Sequence, residues 1–403
     1  MIRLHKYYLY LLFINITVAA NGWAIFGLGL GQILYWVILL LGVKILSKTV
    51  YRQVGVLLLL LTISLKLINI IFNTTFTGFM SEFPPGLIFV LVGATIYAKN
   101  PIVIYRQLIY FFALSIPFMI LQKIGVHTFF YGWNTELFHE NFNYSFDEVK
   151  DLGVIFKNIP LFPTLFVELN DLTYAMYQGR PTGLLYSNNV LSVIISIAVA
   201  LHFTISHSIK IKFKNIIIAL IIVLTMSTLV YGVLFLLFIY FYFVHGDKNM
   251  KRNALKTVFL TLAMIFTHYL FFPGLTISSF GLVNAISFVS RFADIFNALG
   301  INYFDEFIIL YNLKFDSEES VSLIGSILKN NFLYLILIFS LVIIKVYYKH
   351  LKNHKESTVV YVTLLVVCLL TQFGVNFIKA PSFQLFLGIA LFPIFKSKIL
   401  SLK

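Results

Sequence analysis

The stretch Val54-Gly-Val-Leu-Leu-Leu-Leu-Leu-Thr-Ile-Ser-Leu-Lys-Leu-Ile-Asn-Ile-Ile-Phe-Asn73 holds one charge, Lys66, in twenty residues. A hydrocarbon layer about 30 Å thick is crossed by a helix of about 20 apolar residues. This segment therefore reads as a membrane span, and the rest of the chain reads the same way. Of 403 residues, 60% are apolar and 17% aromatic, while only 11% are charged. An ordinary soluble domain carries about 25% charge, so this composition excludes a soluble enzyme, a disordered chain and a nucleic-acid-binding module. The expected fold class is all-α: a polytopic transmembrane helical bundle.

About twelve apolar runs can be marked along the chain, near 7–22, 27–46, 54–73, 84–98, 106–121, 188–206, 215–229, 230–244, 257–272, 329–348, 358–378 and 382–395. The adjoining runs 215–229 and 230–244 have no polar loop between them. The first run passes toward the second without a small-residue cleavage site and reads as a signal anchor. The lone cysteine, Cys368, lies in an apolar run and leaves no disulfide or Cys-based metal site to build.

The net charge of +14 is a matter of topology rather than of nucleic acid. Alternate loops hold 21 of the 30 basic residues, from Arg3 and Lys6 to Lys398 and Lys403, with only Asp247 and Glu356 as acids. The other acids fall on the opposite side. The positive-inside rule places the basic loops and both termini in the cytoplasm. The expected organisation is a five-span bundle at 1–121, a long external loop at 122–187, four central spans at 188–272, a second long external loop at 273–328, and three final spans and a tail at 329–403.

The two long loops carry patterns of their own. Ser145-Phe146-Asp147-Glu148 is a capping box ahead of Val149, Leu152, Ile155 and Phe156. In the second loop Phe288, Phe292, Ile295, Phe296 and Leu299 share one helical face, and Asn284, Ser287, Arg291 and Asp294 share another. Short amphipathic helices at the membrane interface fit both. Loops of this length in a compact protein are commonly functional.

An enzyme on the external face has no ATP. Its substrate must arrive already activated, typically as a sugar on a polyprenyl pyrophosphate. The departing pyrophosphate needs cations, and the planar fork of arginine holds two phosphate oxygens at once. The attacking hydroxyl needs a base. Only Arg180 and Arg291 are external arginines, one in each long loop. Arg180 opens Arg180-Pro181-Thr182-Gly183-Leu184, and Asn188-Asn189 follow where they can cap the next helix. The plain alternatives stay open: headgroup anchoring for Arg180, and an i,i+3 ion pair with Asp294 for Arg291.

The element Arg180-Pro181-Thr182-Gly183-Leu184, with the asparagines beyond it, resembles the R-x-x-G-L…N motif of the Wzy-type O-antigen polymerases and related O-antigen ligases. The layout is similar too: spans, a long external loop ending in the arginine motif, more spans, a second long loop, final spans. That resemblance implies a membrane glycosyltransferase joining undecaprenyl-pyrophosphate-linked repeat units into O-antigen or capsular polysaccharide. It implies a bacterial inner-membrane location and no cofactor. The partners implied are the lipid-linked donor and acceptor, membrane lipid and a chain-length regulator, with no nucleic acid. Arg180 and Arg291 would hold pyrophosphate, with Gly183, Asn188, Asn189 and Asp294 about the substrate. The ligases carry H-x10-G at the end of the second loop; here Ser320 and Asn331 stand near those positions, which favours the polymerase and leaves the base among Glu318, Glu319, Asp305 and Glu306. His268, near the external end of its span, is a further substrate-side candidate whose plain reading is a structural histidine. His127 and His139 are loop histidines without distinguishing context. A flippase for lipid-linked oligosaccharides is the rival class, although no internal repeat is present.

Overall fold

The structure is a computed structural model and describes residues 2–20, 24–25, 28–72, 75–123, 181, 183–185, 188–205, 213–245, 248–271 and 381–392. Among these residues the architecture is helical. The helices are α1 (Ile2–Ala20), α2 (Leu30–Leu46), α3 (Arg52–Phe72), α4 (Thr75–Lys99), α5 (Pro101–Lys123), α6 (Asn188–Ile205), α7 (Lys214–Thr225), α8 (Thr228–Ile239), α9 (Lys248–Phe271) and α10 (Pro381–Ala390), with a π-helical turn at Tyr240–His245 after α8. A two-residue antiparallel pair joins α1 to α2, with β1 (Ala24–Ile25) against β2 (Leu28–Gly29). The expected spans at 329–348 and 358–378 and most of both long loops lie outside the described residues.

The apolar runs and the helices coincide closely, with two instructive departures. The run expected at 84–98 is the second part of a helix that begins at Thr75 and keeps Pro84 and Pro85 within it. The runs expected at 215–229 and 230–244 meet instead at Met226 and Ser227. Met226 is left-handed, with φ of 48°, and α7 has 12 residues. That is about 18 Å of helix, well short of a full crossing. Thr225 and Met226 are buried, which explains why no polar loop marks the turn. The Thr225 hydroxyl donates to the Ile221 carbonyl at 2.6 Å, and the Tyr231 hydroxyl reaches Met226 Sδ at 3.4 Å. Irregular backbone at membrane depth is tolerated where protein buries it in this way.

Three described helices are long and apolar enough to cross a membrane: Arg52–Phe72, Pro101–Leu121 and Lys248–Phe271. They differ in what surrounds them. Only 17% of the apolar window of α3 and 22% of that of α9 is buried inside the protein, against 56% for α5. Leu57, Leu60, Ile70 and Ile71 of α3 and Phe259, Leu262 and Phe266 of α9 are all exposed. Water would penalise so much contiguous apolar surface, whereas lipid tails accept it. The chain is a membrane protein in which α3 and α9 offer faces to lipid and α5 lies nearer the centre of the bundle.

Contacts fix how the helices run against one another. The Asn15 amide of α1 donates to the Gly31 carbonyl of α2 at 2.7 Å, and Gly42 of α2 faces Tyr8 of α1, so the two are antiparallel. Phe13 of α1 stacks on Phe111 of α5 with centroids 5.2 Å apart. On α4 and α10, Gly86 meets Gln384, Val90 meets Gly388, and Tyr97 meets Phe392. Positions rise together on both helices, so this pair is parallel. A β-carbon on Gly93 would overlap the Leu385 carbonyl, and one on Gly388 would overlap the Val90 carbonyl. Small residues let membrane helices approach to this backbone-to-backbone distance.

A buried polar chain ties three helices at one end of the bundle. The Tyr105 hydroxyl of α5 hydrogen-bonds His202 Nδ1 of α6, and His202 Nε2 lies 3.0 Å from Thr257 Oγ1 of α9. All three side chains are buried. Either tautomer satisfies the chain: Tyr105 donates to Nδ1 while Nε2–H donates to Thr257, or Nδ1–H donates to Tyr105 while Thr257 donates to Nε2. Lys214 at the start of α7 acts electrostatically on His202, and Phe241 of the π turn packs edge-on against Phe203 at 6.0 Å. α7 therefore leaves this end and α8 with its π turn comes back to it.

Two outcomes follow from this packing. Gly93→Leu or Gly388→Leu should sharply reduce the monodisperse, folded yield from membranes, while Gly232→Leu, with nothing within 4 Å of the added carbon, should leave it near normal. Replacing His202 with Leu leaves two buried hydroxyls unsatisfied, at about 1–3 kcal/mol each. It should lower the midpoint of thermal unfolding more than Tyr105→Phe, which removes one.

Candidate functional site

The described part of the arginine motif lies against α5, at the end of the bundle opposite the Tyr105–His202–Thr257 chain. Gly183 has φ of 63°, a left-handed conformation that a side chain disfavours. Its α-carbon faces α5 so closely that an added β-carbon would sit 3.1 Å from Met119 Cγ and 3.2 Å from Ser115 Cβ. Pro181, Leu184 and Leu185 around it are buried. The motif glycine thus does two things: it turns the chain, and it lets the backbone press onto a neighbouring helix. Asn188 and Asn189 are the first two residues of α6, so the motif leads directly into that helix.

Ser115, Met119 and Lys123 succeed each other at i, i+4 and i+8, which puts them on one face of α5. All three are buried. The Ser115 hydroxyl has no hydrogen-bond partner among the described residues, which is unusual for a buried polar atom. Pro117, between Ser115 and Met119, lies inside the helix and contributes no backbone N–H to its ladder.

Lys123 is the residue that inspection of the motif did not single out. It stands two residues beyond the span Pro101–Leu121 yet is only 3% exposed. Burial disfavours its charged form and pulls the ammonium down to about 8 from the usual lysine value. Its charge interacts with His268, a buried side chain of the last turn of α9. His268 is therefore a buried residue of α9 within electrostatic reach of a cation on α5.

The structure brings Gly183, Ser115, Lys123 and His268 to one end of α5, α6 and α9. Arg180, which immediately precedes Pro181, lies outside the described residues. So do Arg291, Asp294, Glu318, Glu319, Asp305, Glu306, His127 and His139. Among the described residues, no group of three or more His, Cys, Asp or Glu side chains is placed to hold a metal ion. The assembled chemistry is a buried cation and an unpartnered hydroxyl beneath a glycine turn, an arrangement suited to contact an anion.

No protein-family model matches the chain, and neither curated proteins nor solved structures give a match.

Gly183→Ala should destabilise the protein by about 1–2 kcal/mol from the left-handed backbone alone, with the 3.1 Å approach to Met119 adding to it. Thermal unfolding in detergent checks this. Met119→Ala is destabilising by itself as a core truncation, so the steric part should show as a favourable coupling energy in the double-mutant cycle with Gly183→Ala.

Proposed function

We propose that the chain is a membrane glycosyltransferase of the kind its arginine motif resembles. It polymerises undecaprenyl-pyrophosphate-linked oligosaccharide repeat units on the external face of a bacterial cytoplasmic membrane, through about twelve spans, with both termini cytoplasmic. The observation that carries the reading is the seating of Gly183 on Ser115 and Met119 of α5, the helix face that one turn further on carries the buried Lys123. A cation held out of water next to an arginine motif is poorly explained by anchoring to headgroups. A pyrophosphate in the site would stabilise its charged form.

In this reading Arg180 and Arg291 bind the pyrophosphate groups and Lys123 adds a third positive charge. A hydroxyl of the acceptor unit attacks the anomeric carbon of the donor glycan. The bond from that carbon to the pyrophosphate oxygen breaks, and undecaprenyl pyrophosphate leaves with the electron pair. The proton of the hydroxyl passes to a carboxylate of the second loop, Glu318 or Glu319. Glu318 and Glu319 are assigned by their position in the sequence. Attachment of finished glycan to a different acceptor, as in the ligases, is the same chemistry with another nucleophile. A chain-length regulator is the expected protein partner.

One observation favours the rival class. The buried break between α7 and α8 resembles the discontinuous helices of transporters, which place their sites at such breaks. A flippase would move the lipid-linked unit without changing it.

Purified protein in liposomes, supplied with its lipid-linked repeat unit, separates these readings. A ladder of glycans with release of undecaprenyl pyrophosphate is expected; movement of the unit across the bilayer without a ladder would establish the flippase and overturn the polymerase. Arg180→Ala should abolish the ladder with the protein still folded. Arg291→Lys should lose most activity if bidentate contact matters.

The pH dependence has a defined sign. The folded-state value of Lys123 lies below its unfolded one, so charging this residue opposes folding below about 8. That cost fades as pH rises from there toward the ordinary lysine value. Stability should therefore rise with alkaline pH while polymerisation falls through about 8, unless bound pyrophosphate raises the value. Lys123→Arg keeps its charge and should flatten the alkaline fall in activity.

A further inference from the structure

At the opposite end of α5, a cavity of about 310 Å³ opens between its first turns and the start of α1. Two cations from two different helices line it, Lys6 of α1 and Arg106 of α5. Gln107 also lines the cavity. It is only 2% exposed, so its side chain is held in place by the surrounding protein. Asn100 lines the same cavity at the N-terminus of α5, a helix that opens with Pro101. The Ile102 N–H in that first turn lacks an intrahelical acceptor, and the helix dipole adds partial positive charge there. The rim is apolar, formed by Ile102 and the half-exposed ring of Tyr110.

We propose that this cavity is a binding site for a phosphate-bearing anion, held by Lys6 and Arg106 with the Gln107 amide donating to an oxygen. Two charged donors on separate helices and a neutral amide donor converge on one cavity, a donor set that matches the oxygens of a phosphate. The volume lies at the lower end of that for small-ligand sites and suits one headgroup or phosphate ester. The apolar rim beside the cations suits an amphipathic ligand, and the basic end of the chain faces the leaflet in which anionic phospholipid accumulates in the topology expected from charge. The shared chemistry is the phosphate; its source is either an anionic phospholipid or a soluble phosphate ester. About 20 Å of helix separates Arg106 from Met119, so this site stands independently of the glycosyltransferase reading.

The test uses full-length protein in phosphatidylcholine nanodiscs with a minor fraction of phosphatidylglycerol, followed by detergent extraction and mass spectrometry of retained lipid. Wild type should retain phosphatidylglycerol selectively. Lys6→Gln with Arg106→Gln should lose that retention by about tenfold or more, the scale of a charge-assisted hydrogen bond. Both cations are exposed, so the variant should fold, and Gln107→Leu supplies a second, uncharged perturbation expected to weaken retention without altering charge. Lys251→Ala with Arg252→Ala removes two cations of α9 outside the cavity and should change nothing. In a second arm, glycerol 3-phosphate is titrated calorimetrically into protein in pure phosphatidylcholine discs. Binding that the Lys6/Arg106 variant abolishes would support the site with a soluble ester as ligand. Absence of binding in both arms, or equal loss in the α9 variant, would overturn the proposal.

Discussion

The contact of α4 with α10 is the constraint on which the described architecture rests. At Gly93 and Gly388 the two backbones come so close that a methyl group on either would occupy the space of a carbonyl oxygen. No hydrophobic effect drives one helix toward another inside a lipid layer, so packing of this quality has to come from close approach and dispersion. The consequence is long-range. α10 begins at Pro381, just over three hundred residues after α4 begins at Thr75, and it is held parallel to a helix that also packs against α2 and α3. The C-terminal part of the chain is thereby tied to the N-terminal bundle.

α5 organises the remainder. Its first turns line the cationic cavity and carry Tyr105 of the Tyr105–His202–Thr257 chain, its middle stacks Phe111 on α1, and its last turns receive Gly183 and carry Lys123. Polar groups thus gather at both ends of one central helix with an apolar stretch between them. A buried hydrogen-bonded chain such as that at His202 specifies register, because no other alignment of α5, α6 and α9 satisfies all three side chains. The same register sets which residues of α5 meet the motif turn at the far end.

Much of the fold was legible because membrane insertion imposes a simple rule: a spanning segment must satisfy its backbone internally and expose apolar side chains. Length and hydropathy therefore located most of the helices within a few residues. The places where this reading shifted are those where protein, not lipid, surrounds the chain. The turn at Met226 and Ser227 carries no polar signal because it is buried. α4 starts at Thr75, ahead of the run expected at 84–98, because its first turns are less apolar than the rest and Pro84 and Pro85 lie inside the helix. The site was less legible. The glycine of the arginine motif was visible as a position fit for a turn, yet its partner helix was not. Lys123 carries no motif or pattern of its own, and its burial is set by the face it shares with Ser115 and Met119.

Sequence by itself determined that the chain is a helical membrane protein, where most helices run, and which loops share a sign of charge. These are local properties, fixed by the transfer free energy of each residue and by charge counted along the chain. Tertiary structure alone decided that α4 and α10 lie parallel, that His202 joins three helices, and that Gly183, Lys123 and His268 share one end of the bundle while Lys6, Arg106 and Gln107 share the other. These depend on which side chains face one another across a gap of a few ångströms. Hydropathy carries no information about that choice, because every face of an apolar helix looks alike until a glycine, a buried hydroxyl or a lone cation breaks the symmetry.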